Sequence, residues 1–162
     1  MRPSVSKSDL RDYDDNVFLG LKVTRAAADI LDGGTTSLFT VAGGKVLITA
    51  LIMENSVGAT DAASNAKFVM NPTVGTDADM NAATAVGGSE DGSLWICPLN
   101  GAGSLSAGQG GGGLLKVDMG WVAPEGTIDV NSTVDTNATN SAVQSAELWY
   151  IPLDSGATVT SA

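Results

Sequence analysis

The chain has 162 residues, of which 16% are charged, and its formal net charge is −10 at pH 7. Eight basic residues against eighteen acidic ones leave few side chains to neutralise phosphates, so nucleic acid and anionic membranes are poor partners. One cysteine excludes an intrachain disulfide framework, and the absence of histidine removes Ser-His-Asp catalysis, Cys-His catalysis and the common zinc sites.

The first part of the chain differs in charge from the rest. Residues 1–20 are polar with no clear period, so we predict an extended N-terminal arm before a domain over 21–162. Residues 1–25 carry five bases and four acids, net +1, whereas the other 137 residues carry three and fourteen, net −11. Such an arm either lies on its own acidic body or docks on a partner. No signal peptide is visible, and no apolar run approaches the ~20 residues of a membrane helix.

From residue 21 onward, short apolar runs alternate with Gly, Pro and Asn. Residues 21–32 predict a strand and then a short helical turn, because Arg25-Ala-Ala-Ala28 favours helix. Gly43-Gly44 lies between two apolar runs, which is typical of a hairpin turn. Asn71-Pro72 predicts another turn. Further strands are predicted over 36–41, 45–53, 66–70, 93–99, 114–122, 126–132 and 142–153, with weak alternation over 77–86, a loop over 100–113 and a polar tail over 154–162.

The run over 45–53 is nearly continuous in apolar residues, so we expect both of its faces to be covered. Such a strand suits the centre of a sandwich or a subunit interface. The candidate interface residues are Val46, Leu47, Ile48, Leu51 and Ile52. Eight or nine strands with frequent turn signals predict an antiparallel sandwich or barrel. Strand order is not encoded in the local pattern.

Three short motifs suggest chemistry but lack the required context. Gly108 to Gly113 fits G-x-G-x-x-G, yet a loop precedes it and a predicted strand follows, so composition explains the match. Asp77-x-Asp79-x-Asn81 begins like a calcium loop but lacks the required Gly and Glu further on, and a wet polar face explains it. The segment Asp12-x-Asp14-x-Asn16 fails in the same way. We therefore expect no cofactor, no metal and no catalytic residues.

The remaining candidates are carboxylates, aromatic residues and the cysteine. Nothing distinguishes two of the four glutamates as an unequal acid–base pair. We expect Cys97 to be a small buried hydrophobe. Each tryptophan lies within a predicted strand, so Trp95, Trp121 and Trp149 are expected to be core residues.

Four segments carry a resemblance to a known class. SLFTVAGGKVLITALI (37–52), NPTVGTDADM (71–80), APEGTIDVN (123–131) and LWYIPLDSGATV (148–159) resemble the cement, or head-decoration, proteins of tailed bacteriophages. The resemblance implies a β-sandwich, often of jelly-roll type, that forms homotrimers. It further implies a structural virion protein without catalytic residues. Such a protein is made in the host cytoplasm, binds the outer capsid surface and bridges subunits of the major capsid protein.

In this interpretation the arm extends along the surface of the coat protein and binds to it. Arg2, Lys7 and Arg11 are the candidate docking residues, which would pair with acidic coat side chains. Two other classes stay open. One is a phage fibre or tail-associated β-domain. The other is a carbohydrate-binding module in which Trp95 or Trp121 stacks on a sugar.

Overall fold

The computed structural model describes residues 20–57, 65–108, 120–133 and 143–162, and over these residues the fold is all-β. Its strands are β1 (Leu21–Ala28), β2 (Thr35–Ala42), β3 (Val46–Val57), β4 (Asn65–Pro72), β5 (Ala78–Asp79), β6 (Thr84–Ala85), β7 (Leu94–Ile96), β8 (Ser106–Gly108), β9 (Trp121–Ala123), β10 (Gly126–Ser132), β11 (Val143–Pro152) and β12 (Thr158–Ser161).

The strands form two six-stranded sheets. The first has the order β1-β11-β3-β7-β8, with β9 pairing a separate part of β3. The second has the order β12-β2-β10-β4-β5, with β6 also pairing β4. Neighbouring strands within both sheets run antiparallel. One apolar core joins Leu51 and Leu148 of the first sheet to Phe39, Phe68 and Ile128 of the second. The predicted antiparallel β-sandwich is confirmed.

A bulge in β3 explains why its sequence is apolar almost throughout. Trp149 of β11 pairs with Ala50, but the next residue, Tyr150, pairs with Ile48, so Thr49 is an extra residue on β3. Because side chains alternate between faces, one extra residue reverses the alternation. Even-numbered residues face the core before the bulge and odd-numbered residues face it after. The apolar sequence of β3 is therefore explained without both of its faces being covered by other parts of this chain.

Two local expectations are wrong. Residues 25–28 form no helical turn, because β1 continues through Ala28 and pairs with β11. Sheet pairing outweighs the modest helix preference of alanine. Gly43-Gly44 is not a hairpin turn either, since β2 and β3 belong to different sheets. The two glycines carry the chain across the sandwich, with φ values of 74° and 128°.

Two more strand boundaries differ from the prediction. β4 continues through Pro72, and the turn follows it. The tail predicted as polar and irregular contains β12, which pairs with β2 at the edge of the second sheet. Within this tail Ala157 and Val159 are buried in the core. Side chains of a strand alternate between its two faces, so only every second residue faces the core. A segment rich in threonine can therefore form an edge strand when its inward residues are apolar.

Candidate protein-contact surface

The outward faces of the two sheets have opposite character. On the second sheet, register places Thr160, Thr40, Thr127 and Asn71 in one row across four strands. On the first sheet, the equivalent row is Ile151, Leu47 and Val122 on β11, β3 and β9. Directly opposed side chains on antiparallel strands lie about 4.5–5.5 Å apart, so each row forms a continuous surface. One face is polar and rich in threonine, and the other carries aliphatic side chains.

The aliphatic row is open to solvent. Val122 is 54% exposed and Ile151 is 38% exposed. Leu153 is 50% exposed and follows Ile151 by two positions, with its N–H bonded to the Lys45 carbonyl at 2.9 Å. That bond keeps the chain beside β3 after β11 ends. We call Leu47, Val122, Ile151 and Leu153 the apolar patch. Adjoining exposed apolar side chains are a mark of protein contact sites.

A cleft adjoins the apolar patch where four chain turns meet. It has a volume of about 310 Å³ and is lined by Gly44, Lys45, Thr73, Val74, Pro124, Glu125 and Asp154. The Asp154 carboxylate accepts a hydrogen bond from the Lys45 backbone N–H at 2.8 Å, which joins two of the turns. Val74 is almost fully exposed at its rim. The cleft therefore extends the apolar surface around the end of the sandwich.

A second depression lies further along the same face. It has a volume of about 150 Å³ and is lined by Ile52, Glu54, Leu94, Ser145 and Glu147. Ser145 pairs with Glu54 and Glu147 pairs with Ile52, so the two glutamates are diagonal neighbours. Glu147 forms an ion pair with Lys22 at 2.6 Å, with its side chain 37% exposed. The Lys22 ammonium also lies 4.9 Å from the ring centre of Trp149. This part of the face is charged as well as apolar.

The predicted interface residues divide between the core and the surface. Val46, Ile48 and Leu51 have no solvent exposure and pack in the core of this chain, so a partner cannot reach them. Leu47 and Ile52 point outward and are partly exposed. The bulge at Thr49 is the reason, because it places Leu47 and Ile52 on the same outer face despite their odd spacing. The candidate arm residues Arg2, Lys7 and Arg11 lie outside the described residues.

The tryptophans occupy three different environments. Trp95 is 1% exposed, as expected of a core residue, and so cannot stack on a sugar. Trp121 is partly buried against the core. Trp149 points outward beside Lys22, so the expectation of a core position is wrong for this residue. Its alternation with Leu148 and Tyr150, both buried, is the signal that sequence reasoning missed.

The other motif residues serve the fold. Burial raises the pKa of the Cys97 thiol to about 12. Asp79 pairs with Lys67 at 2.7 Å, while the Asn81 side chain is buried and accepts a hydrogen bond from the Phe68 N–H. These two residues therefore point to different places. No cluster of three or more acidic or cysteine side chains that could hold a metal occurs among the residues that the structure describes. The motif at residues 12–16 and the glycines after Gly108 lie outside them.

No protein-family model, curated protein or solved structure matches this chain. The described part of the chain contains no helix that is long and apolar enough to cross a membrane.

Proposed function

We propose that the chain is a capsid cement, or head-decoration, protein of a tailed bacteriophage. In this role it binds the outside of the head and bridges subunits of the major capsid protein. The observation that carries the proposal is the contrast between the two outward faces of the sandwich. A decoration protein has one side against the shell and one side in water. The apolar patch suits the first, and the row of Thr160, Thr40 and Thr127 suits the second.

We further propose that the sandwich is a jelly roll. β7 and β9 pair with different parts of β3, and β5 and β6 with different parts of β4, so each pair counts as one strand. With the edge strands β8 and β12 set aside, eight strands remain, with orders 1-8-3-6 and 2-7-4-5. In these orders strand 1 lies beside strand 8, 2 beside 7, 3 beside 6, and 4 beside 5. An antiparallel ribbon folded over itself pairs its strands in this way, and jelly rolls are common in viral capsid proteins. The connectivity thus supports the resemblance of the sequence segments.

The arm fits the same role. The described structure begins at Gly20, whose backbone lies against Tyr150 and against Ile151 of the apolar patch. Arg2, Lys7 and Arg11 would orient the arm on acidic coat side chains. A homotrimer would present three arms and three patches, and several weak contacts acting together raise the apparent affinity. No catalytic residue is required by this function.

The test uses phage heads that lack the chain and purified full-length protein. We expect saturable binding to the outside of the heads and a higher temperature of DNA release. Val122→Asp and Ile151→Asp should weaken binding at least tenfold, because they place charge on the shell-facing side. Thr40→Asp and Thr160→Asp are matched controls on the polar face and should bind normally. The proposal would be overturned if the substitutions on the apolar patch left binding as strong as those on the polar face, or if the chain were absent from purified virions.

A carbohydrate-binding module is the second candidate, and Trp149 is the observation that favours it. Its ring points outward, next to Lys22 and to the depression containing Glu54 and Glu147. Trp149 is partly exposed, and partly exposed aromatic rings with polar neighbours are suited to stacking on sugars. A Trp149→Ala variant separates the two functions: if glycans shift tryptophan fluorescence only when Trp149 is present, the module is favoured over the cement protein.

A further inference from the structure

We propose that Asn100 is a deamidation site, at which asparagine converts to aspartate or isoaspartate, and that the fold keeps it unreacted until its loop opens. Asn100-Gly101 is the only Asn-Gly pair in the sequence, and Asn100 is exposed. Glycine has no side chain to shield its backbone nitrogen, so this dipeptide is the most reactive one for this chemistry in an unfolded chain. The inference concerns one loop and does not rest on the proposed function.

The reaction needs no cofactor, and water is its only co-reactant. The backbone nitrogen of Gly101 loses its proton and attacks Cγ of Asn100, so a C–N bond forms and closes a succinimide ring. The bond from Cγ to Nδ2 breaks, and Nδ2 takes up a proton and leaves as ammonia. Water then opens the ring at either carbonyl group. One opening gives aspartate, and the other gives isoaspartate, in which the backbone runs through the side-chain carbon.

The fold restrains the attacking nitrogen. The Gly101 N–H donates to the carbonyl oxygen of Met80 at 3.0 Å, and Met80 is fully buried. A peptide carbonyl is too weak a base to take this proton, so the hydrogen bond must break before the nitrogen can attack. The Ala82 N–H also donates to the Gly103 carbonyl at 3.0 Å. The loop over 99–104 is therefore bonded at two points to the segment that follows β5.

The fold also restrains the carboxamide group that is attacked. Oδ1 of Asn100 accepts hydrogen bonds from the backbone N–H of Ala102 at 3.2 Å and of Gly103 at 2.7 Å. Gly103 approaches so closely that a Cβ there would lie 2.9 Å from both Nδ2 and Oδ1 of Asn100. The carboxamide is thus held in one orientation, and rotation toward the Gly101 nitrogen would break these bonds.

One feature of the loop acts in the opposite direction. Two N–H donors on Oδ1 polarise the carbonyl group in the manner of an oxyanion hole, which by itself favours attack at Cγ. Because the Gly101 nitrogen stays bonded to Met80, this polarisation has no nucleophile to act with in the closed loop. Reaction therefore requires local opening, which costs less free energy than global unfolding. Deamidated Asn100 marks chains whose loop has opened.

The experiment incubates the full-length protein at mildly alkaline pH with and without urea. Mass spectrometry of the peptide that contains Asn100 follows the replacement of the amide by a carboxyl group. Conversion in the folded protein should be at least about tenfold slower than in urea, because only the open fraction reacts. Both aspartate and isoaspartate should form in urea.

Gly103→Ala tests the loop directly. The new Cβ displaces the carboxamide of Asn100 from its two N–H donors, and this contact is with the end of a movable side chain, so the variant should fold. Loss of one ordinary hydrogen bond should make conversion of the folded variant roughly fivefold faster. Rates in urea should match the parent, because the Asn100-Gly101 pair is unchanged.

Gly156→Ala is the matched control. Gly156 has φ of 87° and no atom within 4 Å of a Cβ position, so the substitution adds strain in a different turn. Its Asn100 should convert at the parent's rate in the folded protein. Equal acceleration by Gly103→Ala and Gly156→Ala would overturn the inference, since the whole sandwich would then have to unfold. Equal conversion of the parent with and without urea, or no conversion at Asn100 in urea, would overturn it as well.

Discussion

Gln144 on β11 donates a hydrogen bond from Nε2 to Oδ1 of Asn55 on β3 at 3.1 Å, and neither side chain has any solvent exposure. Gln144 Oε1 also accepts from the Ile30 N–H at 3.3 Å. Asn55 Nδ2 in turn donates to the carbonyl oxygen of Glu90 at 3.1 Å. This polar network joins two loops to the end of the first sheet that is furthest from the apolar patch. The sandwich thus has one end joined by buried polar hydrogen bonds and another end with exposed apolar side chains.

We predict that Gln144→Leu lowers the free energy of unfolding by about 2–3 kcal/mol, because it removes partners from buried polar groups. The matched control is Ser145→Ala, the next residue on the opposite face. Among the described residues, the Ser145 hydroxyl is hydrogen-bonded to that of Ser56 in a partly buried pair at 2.8 Å, so its loss should cost less than about 1 kcal/mol. Urea unfolding of both variants measures the difference. Equal losses in the free energy of unfolding would contradict the stabilising role assigned to the network.

Substitution of two glycines with positive φ allows the cost of backbone strain to be measured separately from the cost of a steric clash. Gly126 has φ of 148°, and a Cβ there would lie 2.2 Å from the Asn71 carbonyl oxygen. Gly88 has φ of 72° and no atom within 4 Å of the same position. We expect Gly126→Ala to destabilise by more than about 3 kcal/mol. Gly88→Ala should cost about 1–2 kcal/mol, because it adds only the strain of a left-handed backbone conformation. Thermal unfolding that ranks Gly88→Ala as the worse variant would contradict this.

Arg25 closes the edge of the sandwich between the two sheets. Its Nη1 donates to the carbonyl oxygen of Ser37 on β2 and, at 3.2 Å, to that of Ala162. Arg25→Met should therefore cost about 1.5–3 kcal/mol, the usual range for a hydrogen bond to a charged group. Hydrogen exchange should also quicken in β12, which lies beside β1. Unchanged exchange in β12 would show that Arg25 does not hold this edge.

Lys22 is the comparison for Arg25 on the same strand. Its ion pair with Glu147 has side chains 44% and 37% exposed, so Lys22→Met should cost less than about 1 kcal/mol. In 1 M salt the Debye length falls to about 3 Å, and the effect should largely vanish. Unfolding measured at low and high salt tests this. A cost that persists in high salt would show that the contact with Trp149 dominates over the ion pair.

Burial of Cys97 predicts a loss of stability at high pH. Desolvation raises the pKa of the thiol from 9.0 to about 12, outweighing a backbone hydrogen bond at Leu99 that lowers it. Below pH 9 the thiol is protonated in both states, so its contribution is fully present. Above pH 9 only the unfolded thiol ionises, so the free energy of unfolding falls by about 1.4 kcal/mol per pH unit until the folded thiol ionises as well.

The measurement compares the parent protein with Cys97→Ala between pH 8.5 and 10.5. The variant is less stable throughout because it leaves a cavity, but its stability should fall less steeply with pH. A thiol reagent at pH 8 should label Cys97 only after unfolding. Identical pH slopes in the two proteins, or rapid labelling of the folded protein, would contradict the assignment of this thiol to the dry core.

The sequence alone determined the class of fold and most strand positions. Alternation and turn residues are local signals, and β10 and β11 were predicted within a residue or so of their observed bounds. The core positions of Trp95 and Cys97 followed from their apolar neighbours. These features depend on residues close together in the chain, so a reader of the sequence can find them.

Only the tertiary structure decided which strands are neighbours and which face each side chain takes. The bulge at Thr49 exists only in the pairing of β3 with β11, and it places Leu47 and Ile52 on the same outward face. The apolar patch likewise joins residues from three strands that are distant in sequence. A two-residue period fixes alternation but not its phase, because the inward face is chosen by what the strand packs against.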